Sequence, residues 1–508
     1  MSFDSEPLFA LPRGRDASTV TLLTAAFTLI FIVFYGGASY VSGWIPYRIR
    51  IDLPFEAQIP FVPQVAAVYL STILILLCAP FILRRFHELF PLFIVLCCQT
   101  IISAVIFIVL PVEPGYPPRE PTGPLLNMFA LADMLNLERN ELPALHVAFA
   151  FAAAAAYQPK CGRWTGIAMW LWAAAIAAST LLMHEHHLLD MSAGILLAAV
   201  TMYTVHPWAR RPALIDRAEI EMLCLREFAR FARRHVRYIA ICLGLYRASL
   251  GRFRERRILR TGFCLLQSVD DLLDGDRPSE REPLRVVDQL VMEIESQQFS
   301  GDSLSRLAAA FVIDLENIRS GRDDPIDDAV ALIRHMQIDR RRVLQGELMT
   351  EQQLCEHHRR TFSLSVDLML LAAGSPLRAA DVPALIDAFG WCSTMRDLEE
   401  DLSNGLVNIP KEVIDRARDQ GVKNLSFHSL CTSAPVRDWM KRELTRAEKL
   451  LDQADAELNA AGNIEGLTTL RMFARSIRGY VRRYSRSLPG EKRFRAQGLE
   501  FVKERSPH

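Results

Sequence analysis

The chain has 508 residues, which is too long for one ordinary hydrophobic core, so we expect at least two domains. Its 58 basic and 58 acidic side chains cancel, and the absence of a net charge argues against a nucleic-acid partner. The ten cysteines form no CxxC pair. This pattern is typical of reduced thiols and excludes a disulfide framework or a zinc-ribbon site.

Six apolar stretches in the first part of the chain predict membrane-spanning helices. Most approach the ~20 residues that a bilayer core requires. They are residues 19–43, 63–83, 90–110, 142–157, 164–183 and 188–205. The first could instead be a signal sequence, but its apolar run exceeds the usual ~7–15 residues of such a segment.

The basic residues between these stretches predict an orientation. If the helices alternate, eight of them fall on one side: Arg13, Arg15, Arg84, Arg85, Lys160, Arg163, Arg210 and Arg211. Because loops rich in Lys and Arg stay in the cytoplasm, we expect both termini and the soluble half to be cytoplasmic. The sequence therefore predicts a multi-pass protein of a plasma or inner membrane, with the lipid bilayer as a partner.

The composition changes after residue 208, where charged residues and helical apolar spacing replace the long apolar runs. We therefore predict an all-α protein, in which a six-helix transmembrane bundle precedes a soluble all-α bundle. The expected parts are a cytoplasmic N-terminal tail (1–18), the membrane domain (19–210), a linker (211–224), the soluble domain (225–488) and a mobile basic tail (489–508).

Polar groups near the membrane helices suggest an active site in the membrane half. His146 lies near the start of the fourth helix. His186 lies between the fifth and sixth helices, and Asp190 follows it at a spacing of four residues, which places the two on one helix face. A carboxylate there can fix the imidazole tautomer and leave the other nitrogen as a nucleophile. His146 could protonate a leaving oxygen, and Arg119 could bind phosphate oxygens.

Two simpler interpretations remain open for these histidines. They could be interfacial residues at the level of the lipid headgroups, or His184, His186 and His187 could bind a metal ion.

Segment 143–146 (Pro-Ala-Leu-His) and the Ser179-Thr180 pair, followed by His186 and Asp190, resemble two signatures of the type-2 phosphatidic acid phosphatase superfamily. The resemblance covers about residues 60–206. It implies a phosphohistidine at His186, a general acid at His146, an orienting role for Asp190, phosphate binding by Ser179 and no metal cofactor.

Two positions depart from that family pattern. Ala144 stands where the family has serine, and Thr180 stands where it has arginine. Thr180 and the Pro-Pro-Arg loop look more like the inositol-phosphotransferase branch, the relatives of inositol phosphorylceramide synthase. Arg119 would then supply the missing phosphate-binding charge, and the acceptor could be water or an alcohol.

The soluble half carries two acidic motifs. Asp270 and Asp274 are four residues apart, as are Asp397 and Asp401, so each pair projects from one helix face. Like charges so placed repel each other, and Mg²⁺ with a diphosphate is a natural compensator. The alternative is that both motifs are solvated helix surfaces, but apolar segments precede each of them.

The motif at 270–275 and the segments 396–401 and 408–410 resemble the squalene/phytoene synthase family over about residues 225–485. The resemblance implies a single all-α bundle in which Asp270, Asp274, Asp397 and Asp401 bind Mg²⁺-diphosphate. It also implies that Arg396 contacts phosphate. Departures from the family pattern fall at four positions: Gln267, Ser393, Leu406 and Asn408.

These features predict a bifunctional enzyme of isoprenoid lipid metabolism, with lipid phosphates and prenyl diphosphates as substrates. Mg²⁺ would serve the synthase-like domain only. One alternative is a lipid phosphotransferase whose soluble domain binds prenyl diphosphate without catalysis, and a weaker one is a membrane scaffold. The expected topology separates the two sites across the bilayer, so we expect no direct transfer between them.

Overall fold

The computed structural model describes residues 8–11, 15–113, 115–116, 126–135, 140–251, 253, 256–318, 324–462 and 464–488. The chain divides into two compact units, residues 1–222 and 223–508. The described residues form helices and no strand, which confirms the all-α prediction for that part of the chain. Arg119 and the tail 489–508 lie outside the described residues.

Unit 1 is built from apolar helices. They are α1 (Arg15–Phe31), α2 (Gly37–Ser42), α3 (Ala66–Leu77), α4 (Ala79–Ile82), α5 (Phe86–Val109), α6 (Leu126–Leu135), α7 (Leu145–Tyr157), α8 (Arg163–Leu182) and α9 (Leu188–Ala209). Four helical segments are long and apolar enough to cross a membrane: Ala17–Ser42, Phe86–Val109, Arg163–Leu182 and Leu188–Ala209.

The other two predicted spans form shorter helices. Segment 63–83 breaks into Pro63–Leu77 and the short α4, and α7 has 13 residues. At 1.5 Å per residue, α7 is about 20 Å long, less than the ~30 Å of a bilayer core. The six-helix transmembrane bundle therefore stays a prediction, and so does its orientation.

Helix α7 occupies the centre of unit 1, where it packs against α3, α5, α8 and α9. Its run of alanines is buried, and such small side chains allow neighbouring helices to approach closely. The closest approach is at Gly194 of α9, where an added Cβ would lie 2.5 Å from the carbonyl oxygen of Ala144. This contact brings the first turns of α7 and α9 together.

A turn of π-helix between α1 and α2 holds the chain just before α7. The side-chain amide of Asn140 donates a hydrogen bond of 2.9 Å to the carbonyl of Tyr35, which lies in this turn (Ile32–Gly36). The segment leading to His146 is thereby attached to the α1–α2 region.

Helix α10 (Pro212–Arg234) includes residues 212–224 of the segment that we predicted to be a linker. Its apolar residues repeat at helical spacing, which favours a helix there. The helices of unit 2 are α11 (Arg237–Ala248), α12 (Arg257–Leu273), α13 (Pro283–Ser296), α14 (Ser303–Ile318), α15 (Pro325–Gln345), α16 (Glu351–Ala372), α17 (Pro383–Ser403), α18 (Lys411–Asp419), α19 (Phe427–Thr432), α20 (Ala434–Ala460) and α21 (Leu467–Arg486).

The helices of unit 2 that carry the acidic motifs are α12 and α17. Helix α12 packs mainly on α14, and α17 packs on α16, α20 and α21. Helices α15 and α16 pack against each other and both contact α12. At Gly390 an added Cβ would lie 2.8 Å from the Cβ of His358, so glycine permits the close contact between α16 and α17.

We expect Gly194→Ala to destabilise unit 1 by about 1–3 kcal/mol, because the new methyl group would collide with the Ala144 carbonyl. Calorimetric melting of the purified protein in detergent measures the effect. Gly37→Ala is the matched control, since nothing lies within 4 Å of a Cβ added there. Equal melting temperatures for the two variants would contradict the close packing of α7 and α9.

Candidate functional sites

In unit 1, the imidazole of His186 lies between two carboxylates in the turn that connects α8 to α9. Its Nδ1 is 3.4 Å from Oε2 of Glu141 and 3.7 Å from Oδ2 of Asp190. All three side chains are buried. Neither ring nitrogen of His186 makes a hydrogen bond with a described residue. A proton on Nδ1 would therefore be stabilised by negative charge, which leaves the lone pair on Nε2.

Asp190 is held in place by the start of α9. Its Oδ2 accepts a hydrogen bond of 2.9 Å from the backbone N–H of His187 and so caps the helix. Its carbonyl accepts one of 3.0 Å from the backbone N–H of Ala144, just before α7. The same residue therefore lies next to His186 and connects the start of α9 to the start of α7.

His146 lies in the first turn of α7, and its ring centroid is 6.3 Å from that of His186. The hydroxyl of Tyr69, from α3, is 3.3 Å from Nε2 of His146. The structure thus places His146, His186 and Asp190 together. Sequence reasoning did not include Glu141 and Tyr69. An acid next to an apolar helix start was the available signal for Glu141, whereas Tyr69 gave none.

The two neighbouring histidines have structural partners. Nδ1 of His187 lies 2.6 Å from Oε2 of the buried Glu56, and Nε2 accepts a hydrogen bond from the backbone N–H of Gly115. Nε2 of His184 lies 2.9 Å from the carbonyl oxygen of Ile59. The three histidines therefore do not form a common metal site. Glu141, His186 and Asp190 do have ligand atoms within 4.8 Å of one another, a spacing that one cation could bridge.

The hydroxyl groups of Ser179 and Thr180 both bond to the backbone of their own helix. The hydroxyl of Ser179 is buried and donates a hydrogen bond of 2.7 Å to the carbonyl of Ile176 within α8. Thr180 does the same with Ala177. Since Arg119 lies outside the described residues, phosphate binding by Ser179 and Arg119 stays a prediction.

In unit 2, the three aspartates of the first motif have different surroundings. Asp271 is buried and forms a salt bridge of 3.1 Å with Arg234. Asp270 accepts a hydrogen bond of 3.1 Å from the amide of Gln267, and neither Asp270 nor Asp274 forms a salt bridge with a described residue. The pair that lies four residues apart is therefore the pair without a compensating cation.

The carboxylates of α12 and α17 affect each other electrostatically. Burial and the neighbouring Asp271 raise the pKa of Asp270 to about 7. Desolvation also raises the pKa of Asp274, with contributions from Asp270 and Asp401, although its side chain still reaches solvent. Burial raises the pKa of Asp401 to about 7. The charge of Asp401 on α17 therefore acts on Asp274 at the end of α12.

The second motif includes an internal ion pair that the sequence did not suggest. Arg396 makes a bidentate contact with Asp397, at 2.7 and 2.5 Å. The guanidinium that we expected to bind phosphate is therefore paired with the carboxylate that we expected to bind Mg²⁺. In this arrangement Asp401, which pairs with no cation, is the more available ligand.

A buried polar network supports Asp401. The amide of Asn408 donates to Oδ2 of Asp401 at 3.0 Å, and the buried Arg342 donates to Oδ1 of Asn408 at 2.9 Å. Arg342 also pairs with Asp339 at 2.7 Å, and His357 pairs with the other oxygen of Asp339 at 2.9 Å. The network joins α15, α16 and the loop after α17.

Asp339 is a further carboxylate of this site that sequence reasoning missed. Burial opposes its ionisation, but His357 and Arg342 outweigh burial and lower the pKa of Asp339. Its charge raises the pKa values of Asp270, Asp274 and Asp401. No pattern of spacing connects residue 339 with the acidic motifs, so only the packing of α15 reveals it.

The donor set fits Mg²⁺. Three carboxylates lack a cationic partner among the described residues (Asp270, Asp274 and Asp401), and they occupy one region together with the ionised Asp339. Mg²⁺ prefers oxygen ligands and binds through a few carboxylates together with substrate phosphates. The assignment of these residues as Mg²⁺ ligands remains a proposal.

Comparison with known proteins supports a family for this half. Residues 254–489 match the squalene/phytoene synthase family model, and both acidic motifs lie within the match. This segment is a squalene/phytoene synthase-like domain, as the sequence motifs predicted. Enzymes of the family typically depend on Mg²⁺.

The chain was also compared with solved structures and with curated proteins. The crystal structure of squalene synthase HpnC from Alicyclobacillus acidocaldarius aligns with 16% identity and a TM-score of 0.40, covering 53% of this chain and 94% of that chain. No curated protein matches the chain. The family match does not reach the membrane half, so its resemblance to type-2 phosphatidic acid phosphatases stays a prediction.

We expect Mg²⁺ to bind more tightly as pH rises from 6 to 8, by at least about tenfold, because protons must leave Asp270 and Asp401 when the cation binds. Without Mg²⁺, the raised pKa values mean that the folded state holds protons that the unfolded state has released. The stability of unit 2 should therefore fall as pH rises, and saturating Mg²⁺ should remove this pH dependence, because the carboxylates that bind it hold no protons.

Isothermal titration of the full chain in detergent at pH 6, 7 and 8 measures this affinity. Asp452→Asn, a change to an exposed carboxylate on α20, is the control that should keep the pH dependence. An affinity that does not change with pH would contradict the electrostatic description of the site.

Proposed function

We propose that the soluble half is a Mg²⁺-dependent isoprenoid synthase that acts on prenyl diphosphates. The observation that carries this proposal is the set of carboxylates on α12 and α17 without a cationic partner among the described residues, whose pKa values are raised by burial and by neighbouring carboxylates. The squalene/phytoene synthase-like identity of residues 254–489 supports the same reaction class.

The residues have distinct roles in this proposal. Asp270, Asp274 and Asp401 would hold Mg²⁺, and the bound cation would neutralise the negative charge of a diphosphate leaving group. The Asn408–Arg342 network orients Asp401. Arg396 and Asp397 begin as an ion pair, and an incoming diphosphate would compete with Asp397 for the guanidinium.

Asp270→Asn and Asp401→Asn should each lower the Mg²⁺-dependent turnover of farnesyl and geranylgeranyl diphosphates by about 100-fold or more, since each removes a ligand charge. Product analysis of the full chain in detergent, with and without Mg²⁺, measures the loss. Asp452→Asn should retain activity. Unchanged turnover in both ligand variants would refute the assignment and would favour a soluble domain that binds prenyl diphosphate without catalysis.

For the membrane half we propose a metal-independent lipid phosphatase or phosphotransferase that works through a phosphohistidine. The observation that favours it is the buried His186, whose Nδ1 lies near the carboxylates of Glu141 and Asp190, although neither ring nitrogen makes a hydrogen bond with a described residue. In the first step Nε2 forms a bond to phosphorus, the bond from phosphorus to the lipid oxygen breaks, and His146 donates a proton to that oxygen.

In the second step water or an alcohol attacks the phosphohistidine. His146 accepts the proton of the attacking hydroxyl, and the P–N bond electrons return to Nε2 of His186. Glu141 and Asp190 stabilise the positive charge that the ring of His186 carries between the two steps. With both halves active, the chain would be a bifunctional enzyme of isoprenoid lipid metabolism.

His186→Asn should reduce phosphate release from phosphatidic acid and prenyl phosphates in EDTA by about 10³-fold or more, because it removes the nucleophile. Glu141→Gln should reduce it by about tenfold, because Asp190 still orients the ring. His87→Gln, on the exposed part of α5, is the control that should retain activity. The assay is phosphate release from lipid in detergent.

An acid-labile phosphoryl label on wild-type protein, absent from His186→Asn, would support the intermediate. Loss of activity in EDTA that returns with added Zn²⁺ or Mn²⁺ would argue instead for a metal ion bound by Glu141, His186 and Asp190.

A further inference from the structure

Helix α11 attaches to unit 2 by only one face. The ring of Tyr238 is buried on this face, with its centroid 5.5 Å from that of Phe231 and 6.4 Å from that of Phe263. Ser249, just after the helix, is also buried and receives a hydrogen bond from Arg260. These contacts fix the orientation of α11 and therefore determine which of its residues face outward.

The outward face of α11 is apolar, although solvent-facing helix surfaces are normally polar. Val236, Ile239 and Leu243 lie three and four residues apart and are 75, 47 and 66% exposed. Leu250, in the turn after the helix, is 76% exposed, and Ala240 and Gly244 are exposed too. We call the residues Val236, Ile239, Leu243 and Leu250 the α11 stripe.

Arginines surround the α11 stripe, and no acidic side chain interrupts it. From Phe228 to Leu250 the sequence contains five arginines and no Asp or Glu. Arg234 pairs with Asp271, whereas Arg233 and Arg247 are exposed, and the guanidinium of Arg237 lies over the ring of Tyr238. The surface therefore combines large apolar side chains with positive charge.

We propose that the α11 stripe docks unit 2 on the anionic surface of a lipid bilayer. A helix with an apolar face and surrounding arginines lies in the membrane interface, where its apolar side chains enter the boundary region and its cations bind acidic headgroups. The chain also supplies the membrane, because α10 begins three residues after the end of Leu188–Ala209, a helix long and apolar enough to cross it.

This docking is independent of the chemistry proposed for either half. It would hold the soluble domain at the surface where water-insoluble prenyl chains reside. The occupant is a bilayer and not a protein, because the arginines complement acidic lipid headgroups and attraction to such lipids grows with the number of basic residues near the surface.

The test uses the full chain in three environments: detergent, nanodiscs of phosphatidylcholine, and nanodiscs of equal parts phosphatidylcholine and phosphatidylglycerol. Hydrogen exchange is followed for the peptide that contains Arg237–Ala248. We expect exchange to slow several-fold in the anionic nanodiscs relative to the other two, and high salt should reduce this protection, since the arginines are exposed.

Leu243→Glu should abolish the protection by placing a negative charge on the stripe. Met292→Glu, an equally exposed position on α13, should leave it intact. Unchanged exchange in α12 would show that the Leu243 variant still folds. Protection of equal size in detergent would mean that protein covers α11, and equal exchange in all three environments would mean that nothing does; either result would overturn the proposal.

Discussion

Removing a charged side chain from water costs several kcal/mol unless an opposite charge or a set of hydrogen bonds compensates it. Unit 2 contains carboxylates with such compensation and carboxylates without it. Asp271, Asp339 and Asp397 each pair with an arginine of the protein. Asp270, Asp274 and Asp401 have no such partner, and their raised pKa values record the unbalanced charge. A bound Mg²⁺ ion would compensate these negative charges. The need to compensate buried charge therefore explains both the arginine pairs within the protein and the proposed binding of Mg²⁺ with a diphosphate.

In unit 1 the buried side chain beside carboxylates is a histidine. His186 is enclosed by protein with two carboxylates at one nitrogen and none at the other. His187, next to it in sequence, has both ring nitrogens bonded by Glu56 and Gly115. Adjacent residues of the same type thus have opposite environments, one suited to chemistry and the other to holding the start of α9. The difference arises from which element packs against each ring.

Glycine and alanine residues allow the helices that carry these side chains to pack closely. Gly194 brings α9 against the start of α7, and the alanines of α7 admit neighbours on all sides. Gly390 does the same for α16 and α17. Close helix contacts place side chains from distant parts of the chain, such as Asp339 and Asp401 or Glu141 and His186, within reach of one another. The exposed α11 stripe is the opposite case, since its apolar side chains find no partner within the described part of the protein.

The sequence by itself determined the all-α class, the composition change near residue 208 and the squalene/phytoene synthase-like motifs, because helical periodicity and i, i+4 spacing are local properties. It also singled out His146, His186 and Asp190, since polar groups beside apolar helices are rare. Only the tertiary structure added Glu141, Tyr69 and Asp339 and paired Arg396 with Asp397. Tyr69 and His146 lie 77 positions apart and come together because α3 packs on α7, and so distant a contact leaves no spacing pattern in the sequence.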